Sequence, residues 1–357
     1  MVPPIKFGCQ IITYGDINKT IQYAVLVEKA GFDAVSLPDH LFHPLDERFL
    51  RDPPWDAFTL LTAVGLNTKR VKMMPGVADV LRRHPATIAH IISTLDQLTG
   101  GRAMLALGAG EAFNLSSIPD IKWDKPVSIL EEAIKVIKLL WKSTRDSPAS
   151  FNGKHFKLKD AFLSFKPVHL LGPPIYIGGY GPRIRKLVGE IGDGWIPWID
   201  APETYKKALN DIENHAEKAG RTMNEIDTAV MAFTSVSSDG DRAKQVITPR
   251  TKVSLTMRAR LLRELGYDEL AREAMDMWKV AFTKEQLDRI YSLADKIPSE
   301  VVEKVTIAGT PDEAISKIEE YVKAGVKFLA TIPFPVNFEE TINFYEKTII
   351  PYFREKC

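Results

Sequence analysis

Three short runs carry residue types that could do chemistry. Pro38-Asp39-His40-Leu41-Phe42-His43-Pro44 offers an imidazole beside a carboxylate. Such a group can donate a hydrogen bond to a carbonyl or exchange a proton near neutral pH. The plainer alternative is a loop histidine anchored by Asp39. Two histidines within four residues also raise metal binding, but no further Cys or carboxylate cluster completes a ligand set, and the expectation is a metal-free protein. Gly108-Ala109-Gly110-Glu111-Ala112-Phe113-Asn114 removes side chains where a flat ring could lie and places Glu111 for proton transfer. It imitates a dinucleotide loop but lacks the third glycine and the acidic partner. Gly178-Gly179-Tyr180-Gly181-Pro182-Arg183 puts three glycines at what reads as a helix start, an arrangement that exposes backbone amides to an anion. A fourth run, Pro75-Gly76-Val77-Ala78-Asp79, permits close approach of a flat ligand or makes a tight turn, and Trp195 and Trp198 either wall a pocket or pack.

Each run must be held by an element, and the hydrophobic pattern supplies one. Short apolar runs at 6–12, 34–38, 71–77, 103–108, 175–178, 194–197, 227–235, 305–307 and 328–332 predict strands. Amphipathic stretches at 18–30, 55–67, 84–98, 128–141, 183–191, 205–219, 311–324 and 338–353 predict helices. Asn152-Gly153 within 150–165 signals a hairpin. Residues 241–296 form a long helical stretch rich in Leu, Arg, Glu and Met. Eight strand–helix pairs with a hairpin and a helical insertion predict an α/β protein, a (β/α)8 TIM barrel in one domain over 1–357, rather than two smaller α/β domains. In such barrels the chemistry gathers where strands end, which is where all four runs fall.

Composition narrows the function class. Of the 357 residues, 45% are hydrophobic and 26% charged, and 47 basic residues face 46 acidic ones, for a net charge of +1. Without a charge block there is no surface for nucleic acid and no polybasic membrane anchor. Two cysteines, Cys9 and Cys357, make no disulfide framework. No leader and no run of about 20 apolar residues stands out, so the expectation is a cytoplasmic protein acting on a small molecule.

Taken in order, these runs resemble the luciferase-like monooxygenase superfamily, in its branch that uses the deazaflavin coenzyme F-420. The resemblance also rests on Arg83-His84-Pro85-Ala86, Leu95 to Arg102, Trp123 to Val127, Phe156-Lys157-Leu158, Gly192 to Trp195 and Ala308 to Glu313. Individual stretches are similar to methylene-tetrahydromethanopterin reductase, to F-420-dependent alcohol and glucose-6-phosphate dehydrogenases, and to phthiodiolone ketoreductase-like proteins.

That resemblance implies an oxidoreductase that moves a hydride between carbon 5 of the deazaflavin and a carbonyl or imine carbon. His40 would face the reacting carbon and Glu111 would assist proton transfer. A cis peptide at Gly76–Val77 would back the ring, with Asp39, Ala78, Gly108, Ala109, Gly110 and Asn114 around it. Gly178, Gly179, Tyr180, Gly181 and Pro182 would hold the cofactor phosphate. Residues 241–296 would cover the substrate side, and a homodimer or higher homo-oligomer is implied. The dehydrogenases carry a Trp shortly after the histidine, where His43-Pro44-Leu45 stands here with Trp55 as a substitute. Gln10 stands where relatives carry an acid at the end of the first strand. The alternatives are an FMN-dependent monooxygenase on the same barrel and a non-catalytic flavin- or deazaflavin-binding protein.

Overall fold

Short runs two to ten residues long, apolar in the barrel strands, form the strands of this chain. The computed structural model describes residues 5–12, 16–42, 55–121, 123–276, 279–280 and 283–355. The strands are β1 (Lys6–Gln10), β2 (Ala34–Leu37), β3 (Lys72–Pro75), β4 (Ala78–Asp79), β5 (Leu105–Gly108), β6 (Ala149–Asn152), β7 (Lys157–Ala161), β8 (Ile175–Ile177), β9 (Gly194–Trp195), β10 (Asp227–Val236), β11 (Thr306–Gly309) and β12 (Phe328–Pro333). Nine of them run in the order β3-β2-β1-β12-β10-β9-β8-β5-β4 with parallel neighbours throughout.

The two ends of that order are one piece of chain. β3 and β4 are halves of a single strand interrupted at Gly76 and Val77, which leaves eight staves. Closure is made by Met73, whose N–H donates to the Arg102 carbonyl at 3.0 Å and whose carbonyl accepts from the Met104 amide at 2.8 Å. The sheet is therefore a barrel of the (β/α)8 kind.

The helices are α1 (Ile17–Lys29), α2 (Ala57–Asn67), α3 (Pro85–Thr99), α4 (Ala112–Leu115), α5 (Pro126–Lys142), α6 (Pro182–Ile191), α7 (Pro202–Lys218), α8 (Gly240–Leu255), α9 (Ala259–Glu264), α10 (Asp268–Glu273), α11 (Lys284–Lys296), α12 (Ser299–Val305), α13 (Pro311–Lys323), α14 (Phe338–Phe344) and α15 (Ile350–Glu355). Local chemistry fixes several of their starts. Asp16 and Asp56 accept the first amides of α1 and α2, and Thr310 with Glu313 forms a reciprocal capping box on α13. No helix among the described residues is long and apolar enough to cross a membrane.

Period-2 side-chain alternation divides the core in two. Along β10, Ala229, Met231 and Phe233 join the cluster that fills the barrel, while Val230 and Ala232 join the layer beneath the outer helices. On β12, Phe328, Ala330 and Ile332 point inward and Leu329 outward. The inner cluster continues into Ile247 and Leu255 of α8, Leu261 and Leu262 of α9 and Val301 and Val302 of α12, so these helices cap one end of the barrel.

One detail differs from the sequence reading. The strand expected at 305–307 is β11, which lies off the barrel path. Because β9 spans only two residues, the upper edge of β10 is open, and β11 fills it by pairing with Phe233 to Val236. The expected hairpin forms as the antiparallel pair β6 and β7, and Asn152 pairs with Lys157 across a turn of four residues, longer than the two-residue turn that Asn-Gly favours.

Candidate active site

A cavity of about 620 Å³ opens at the C-terminal ends of the strands. Every sequence-derived site residue except Asp39 lines it: His40 after β2; Gly76, Val77 and Ala78 in the interrupted strand; Gly108, Ala109, Gly110, Glu111 and Asn114 after β5; and Gly178, Gly179, Tyr180, Gly181 and Pro182 after β8. Asp39 lies directly behind. His43 to Leu45 fall outside the described residues, and Trp55 is 38% exposed and does not line the cavity.

His40 and Glu111 meet across the cavity edge, with His40 Nε2 3.6 Å from Glu111 Oε1. Burial pushes the Glu111 carboxyl up to about 7, with the negative charge of Asp79 adding to the effect and Arg82 opposing it. Asn114, one turn along the short α4, donates to Glu111 Oε1 at 3.1 Å and accepts the Leu41 amide at 2.8 Å. The two partners of Glu111 thus come from different staves of the barrel.

Behind His40, Asp39 is 2% exposed and bound from two directions. Arg82 Nη2 donates to its carboxylate at 2.7 Å and to its backbone carbonyl at 2.6 Å, and Arg83 Nη1 donates to the same carboxylate oxygen at 2.8 Å. Arg82 also grips Asp79 through Nε, and Arg83 reaches Asp56 at 2.5 Å. Burial raises the Asp39 carboxyl more than the two guanidinium groups lower it. This network locks the strand end that presents His40 to the start of α3.

The floor is built around Val77. The Gly76–Val77 peptide bond is cis, and Gln10 Nε2 donates to the Gly76 carbonyl at 2.7 Å. A Cβ on Gly108 would meet Val77 Cγ2 at 3.0 Å, and one on Gly178 would meet it at 3.2 Å. The glycines from two neighbouring staves therefore make room for the Val77 side chain. Gln10, at the position where an acid was expected from the relatives, serves as a hydrogen-bond donor to this floor.

At the far side, α6 begins at Pro182 with Gly181 as its N-cap. The space beside Gly181 is open, and no side chain among the described residues caps the first amides. Gly179 has φ +114°, a backbone region that favours glycine. Trp195 fixes this turn, with Nε1 donating to the Gly179 carbonyl at 2.8 Å and its ring stacked on Tyr205 at 4.8 Å. Trp195 is fully buried and packs, whereas Trp198 lines the cavity.

Sequence reasoning missed several lining residues. Trp123 Nε1 donates to the Ala109 carbonyl at 3.0 Å and closes over the glycine turn. Arg258 is buried, lies 3.7 Å over the Tyr180 ring, and donates to the Trp198 and Ile199 carbonyls. Arg250, Ser254, Arg260, Phe233 and Phe334 complete the wall. No local pattern flagged these arginines, because they sit among ordinary helix-surface charges in 241–296.

A closed parallel barrel with its cavity at the strand C-termini defines the class, a (β/α)8-barrel protein with a ligand pocket at the catalytic face. The chain belongs to the luciferase-like monooxygenase family, whose profile matches residues 1–327. It is 31% identical to the 5,10-methylenetetrahydromethanopterin reductase of Archaeoglobus fulgidus, over 97% of this chain and 99% of that protein. It is 28% identical to an F-420-dependent glucose-6-phosphate dehydrogenase of Microbacterium testaceum, over 100% and 99%. Among solved structures, an F-420-dependent secondary alcohol dehydrogenase in complex with an F-420–acetone adduct superposes with a TM-score of 0.82 at 26% identity, covering 98% of this chain and 99% of the other.

Proposed function

We propose that this protein is an oxidoreductase that uses coenzyme F-420 to move a hydride to or from a carbonyl or imine carbon of a small organic substrate. One observation carries the reading. His40 and Glu111, 3.6 Å apart, stand at the edge of a cavity whose floor is Val77 framed by Gly108 and Gly178. That floor fits a flat ring, since side chains at either glycine would crowd Val77. A cavity of about 620 Å³ lies within the range of cofactor sites.

When bound, the deazaflavin supplies or accepts the hydride. The chain does the rest. Gly76, Val77 and Ala78 back the ring, Gly108, Ala109 and Gly110 border it, and Asp39 acts by fixing the His40 loop. The open amides of α6, with Gly178 to Pro182 and Arg183, hold the phosphate. His40 donates a hydrogen bond to the substrate oxygen and fixes the carbon beside it. Glu111, with its carboxyl raised to about 7, titrates near neutral pH and can both give and take a proton through His40. The helices between 240 and 305 cover the substrate side. Cytoplasmic location and a homo-oligomeric state rest on the family resemblance and go with this proposal.

Titration with F-420 and with FMN tests the reading. Quenching of F-420 fluorescence at micromolar protein, with weaker FMN binding, supports it. Tight FMN with no F-420 response transfers the barrel to the monooxygenase reading. F-420 binding with no turnover in a screen of alcohols, ketones and imines, followed by deazaflavin absorbance, leaves a binding protein.

A further inference from the structure

Three arginines within residues 250–260 line one side of the cavity: Arg250 on α8, Arg258 between α8 and α9, and Arg260 in the first turn of α9. They are engaged differently. Arg258 is committed to the Trp198 and Ile199 carbonyls and to the Tyr180 ring. Arg250 stands 5.3 Å over the Phe334 ring. Arg260 is half-buried and forms no ion pair among the described residues. Ser254, one helical turn beyond Arg250, is 1% exposed, and its Oγ finds no hydrogen-bond partner among the described residues. A buried hydroxyl without a partner is unfavourable, and a half-buried cation without a counter-charge is too.

The adjoining wall is apolar. Trp198, Phe233 and Phe334 line the cavity in edge-to-face contact, with ring centroids 5.8 Å and 4.8 Å apart. Asp276 is the carboxylate from the same stretch that reaches the cavity, and Asp200 faces Arg258 from behind the wall, so Arg258 is answered by negative charge while Arg260 has no ion pair among the described residues.

We propose that this end of the cavity is an anion subsite for the substrate. It selects a carbonyl compound, or its alcohol, with an apolar or aromatic body and a carboxylate or phosphate group. The body packs on Trp198, Phe233 and Phe334. The anion pairs with Arg260 beside Arg250 and accepts a hydrogen bond from Ser254, which satisfies both groups at once. This rests on the oxidoreductase reading above for the word substrate, but the subsite itself does not need it.

The test is calorimetric binding of benzoate, phenyl phosphate and neutral benzamide to the purified protein, with and without saturating F-420. We expect one of the two anions to bind about tenfold or more tightly than benzamide, as a charge-assisted hydrogen bond would give. Which anion wins distinguishes carboxylate from phosphate. Arg260→Gln should reduce that preference to about threefold or less, Arg250→Gln should weaken it also, and benzamide affinity should stay unchanged. Equal affinity for benzamide and the anions, a preference that survives in Arg260→Gln, or no measurable binding of either anion overturns the subsite. Failure of F-420 to quench on titration overturns the cofactor reading alone, because the anion preference is read on the unloaded protein as well.

Discussion

Asn114 donates its Nδ2–H to Glu111 Oε1 at 3.1 Å while its own Oδ1 accepts the Leu41 amide at 2.8 Å. One carboxamide therefore ties the turn after β5 to the loop that presents His40, and it aims the carboxyl at the imidazole. Its N–H favours the ionised form of Glu111. Burial opposes it and wins, with Asp79 reinforcing the outcome.

That balance makes Glu111 a pH-dependent contributor to stability. The carboxyl is raised from the ordinary 4.5 to about 7, so the folded state holds the proton better than the unfolded chain. Its contribution is fully present below about 4.5 and is lost as pH rises through about 7. Thermal melts of the protein and of Glu111→Gln across this range check the sign. The Tm of the unmutated protein minus that of the variant should fall as pH rises. A difference that is flat, or that grows with pH, contradicts the assignment.

Asp39 predicts a large structural effect from a residue that does not touch the cavity. Its carboxylate neutralises two guanidinium groups at 2.7 Å and 2.8 Å while 2% exposed. Asp39→Ala leaves Arg82 with Asp79 and Arg83 with Asp56 but removes the buried charge-assisted hydrogen bonds that join them, at a cost of about 1.5–3 kcal/mol. Urea unfolding should show this as a lowered midpoint with an unchanged slope. A loss below about 1 kcal/mol would place the pair among exposed salt bridges instead.

How much of this was legible in the sequence follows from distance along the chain. The glycine runs, the strand ends and His40 are local signals, and the barrel brings them to one cavity as the strand–helix rhythm required. The pairing of Asp39 with Arg82 and Arg83 was hidden, since more than forty residues separate the partners and each arginine alone reads as a surface charge. Arg258 was hidden for the same reason: its partners Trp198, Ile199 and Tyr180 come from other staves. β11 was misplaced because an apolar run of that length reads alike whether it closes a barrel or patches an edge. Trp195 and Trp198 differ because three residues separate them: alternation continues past the two-residue β9, in register with Met231, and sends Trp195 under the helices and Trp198, with Ile196, into the barrel.

Two glycines of the same turn should behave oppositely. Gly179 sits at φ +114°, so Gly179→Ala carries backbone strain of about 1–3 kcal/mol and lowers the Tm. Gly181 is extended, with nothing within 4 Å of a built Cβ, so Gly181→Ala should fold with a Tm close to that of the parent. Gly181→Leu should also fold, yet block the approach to the first amides of α6 and weaken F-420 binding. A Gly181→Leu protein with unchanged F-420 affinity would remove the phosphate from that turn.

His40 and Glu111 invite a double-mutant test, because their separation of 3.6 Å permits them to act as one proton-handling unit or as two neighbours. His40→Ala should lower F-420-dependent turnover by about 10²–10⁴, the usual range for a positioned acid or base, with F-420 affinity within about threefold of the parent. Glu111→Gln should lower turnover and remove the limb of the pH–rate profile near 7. The two losses decide the mechanism through their combination. If the proton passes through both groups, the double variant is no slower than the slower single variant, since either deletion already breaks the path. If His40 only orients the substrate while Glu111 exchanges protons with water, the two rate losses multiply. Full turnover in His40→Ala with cofactor bound would leave the imidazole a spacer in the loop and shift the proton-handling role to Glu111 alone.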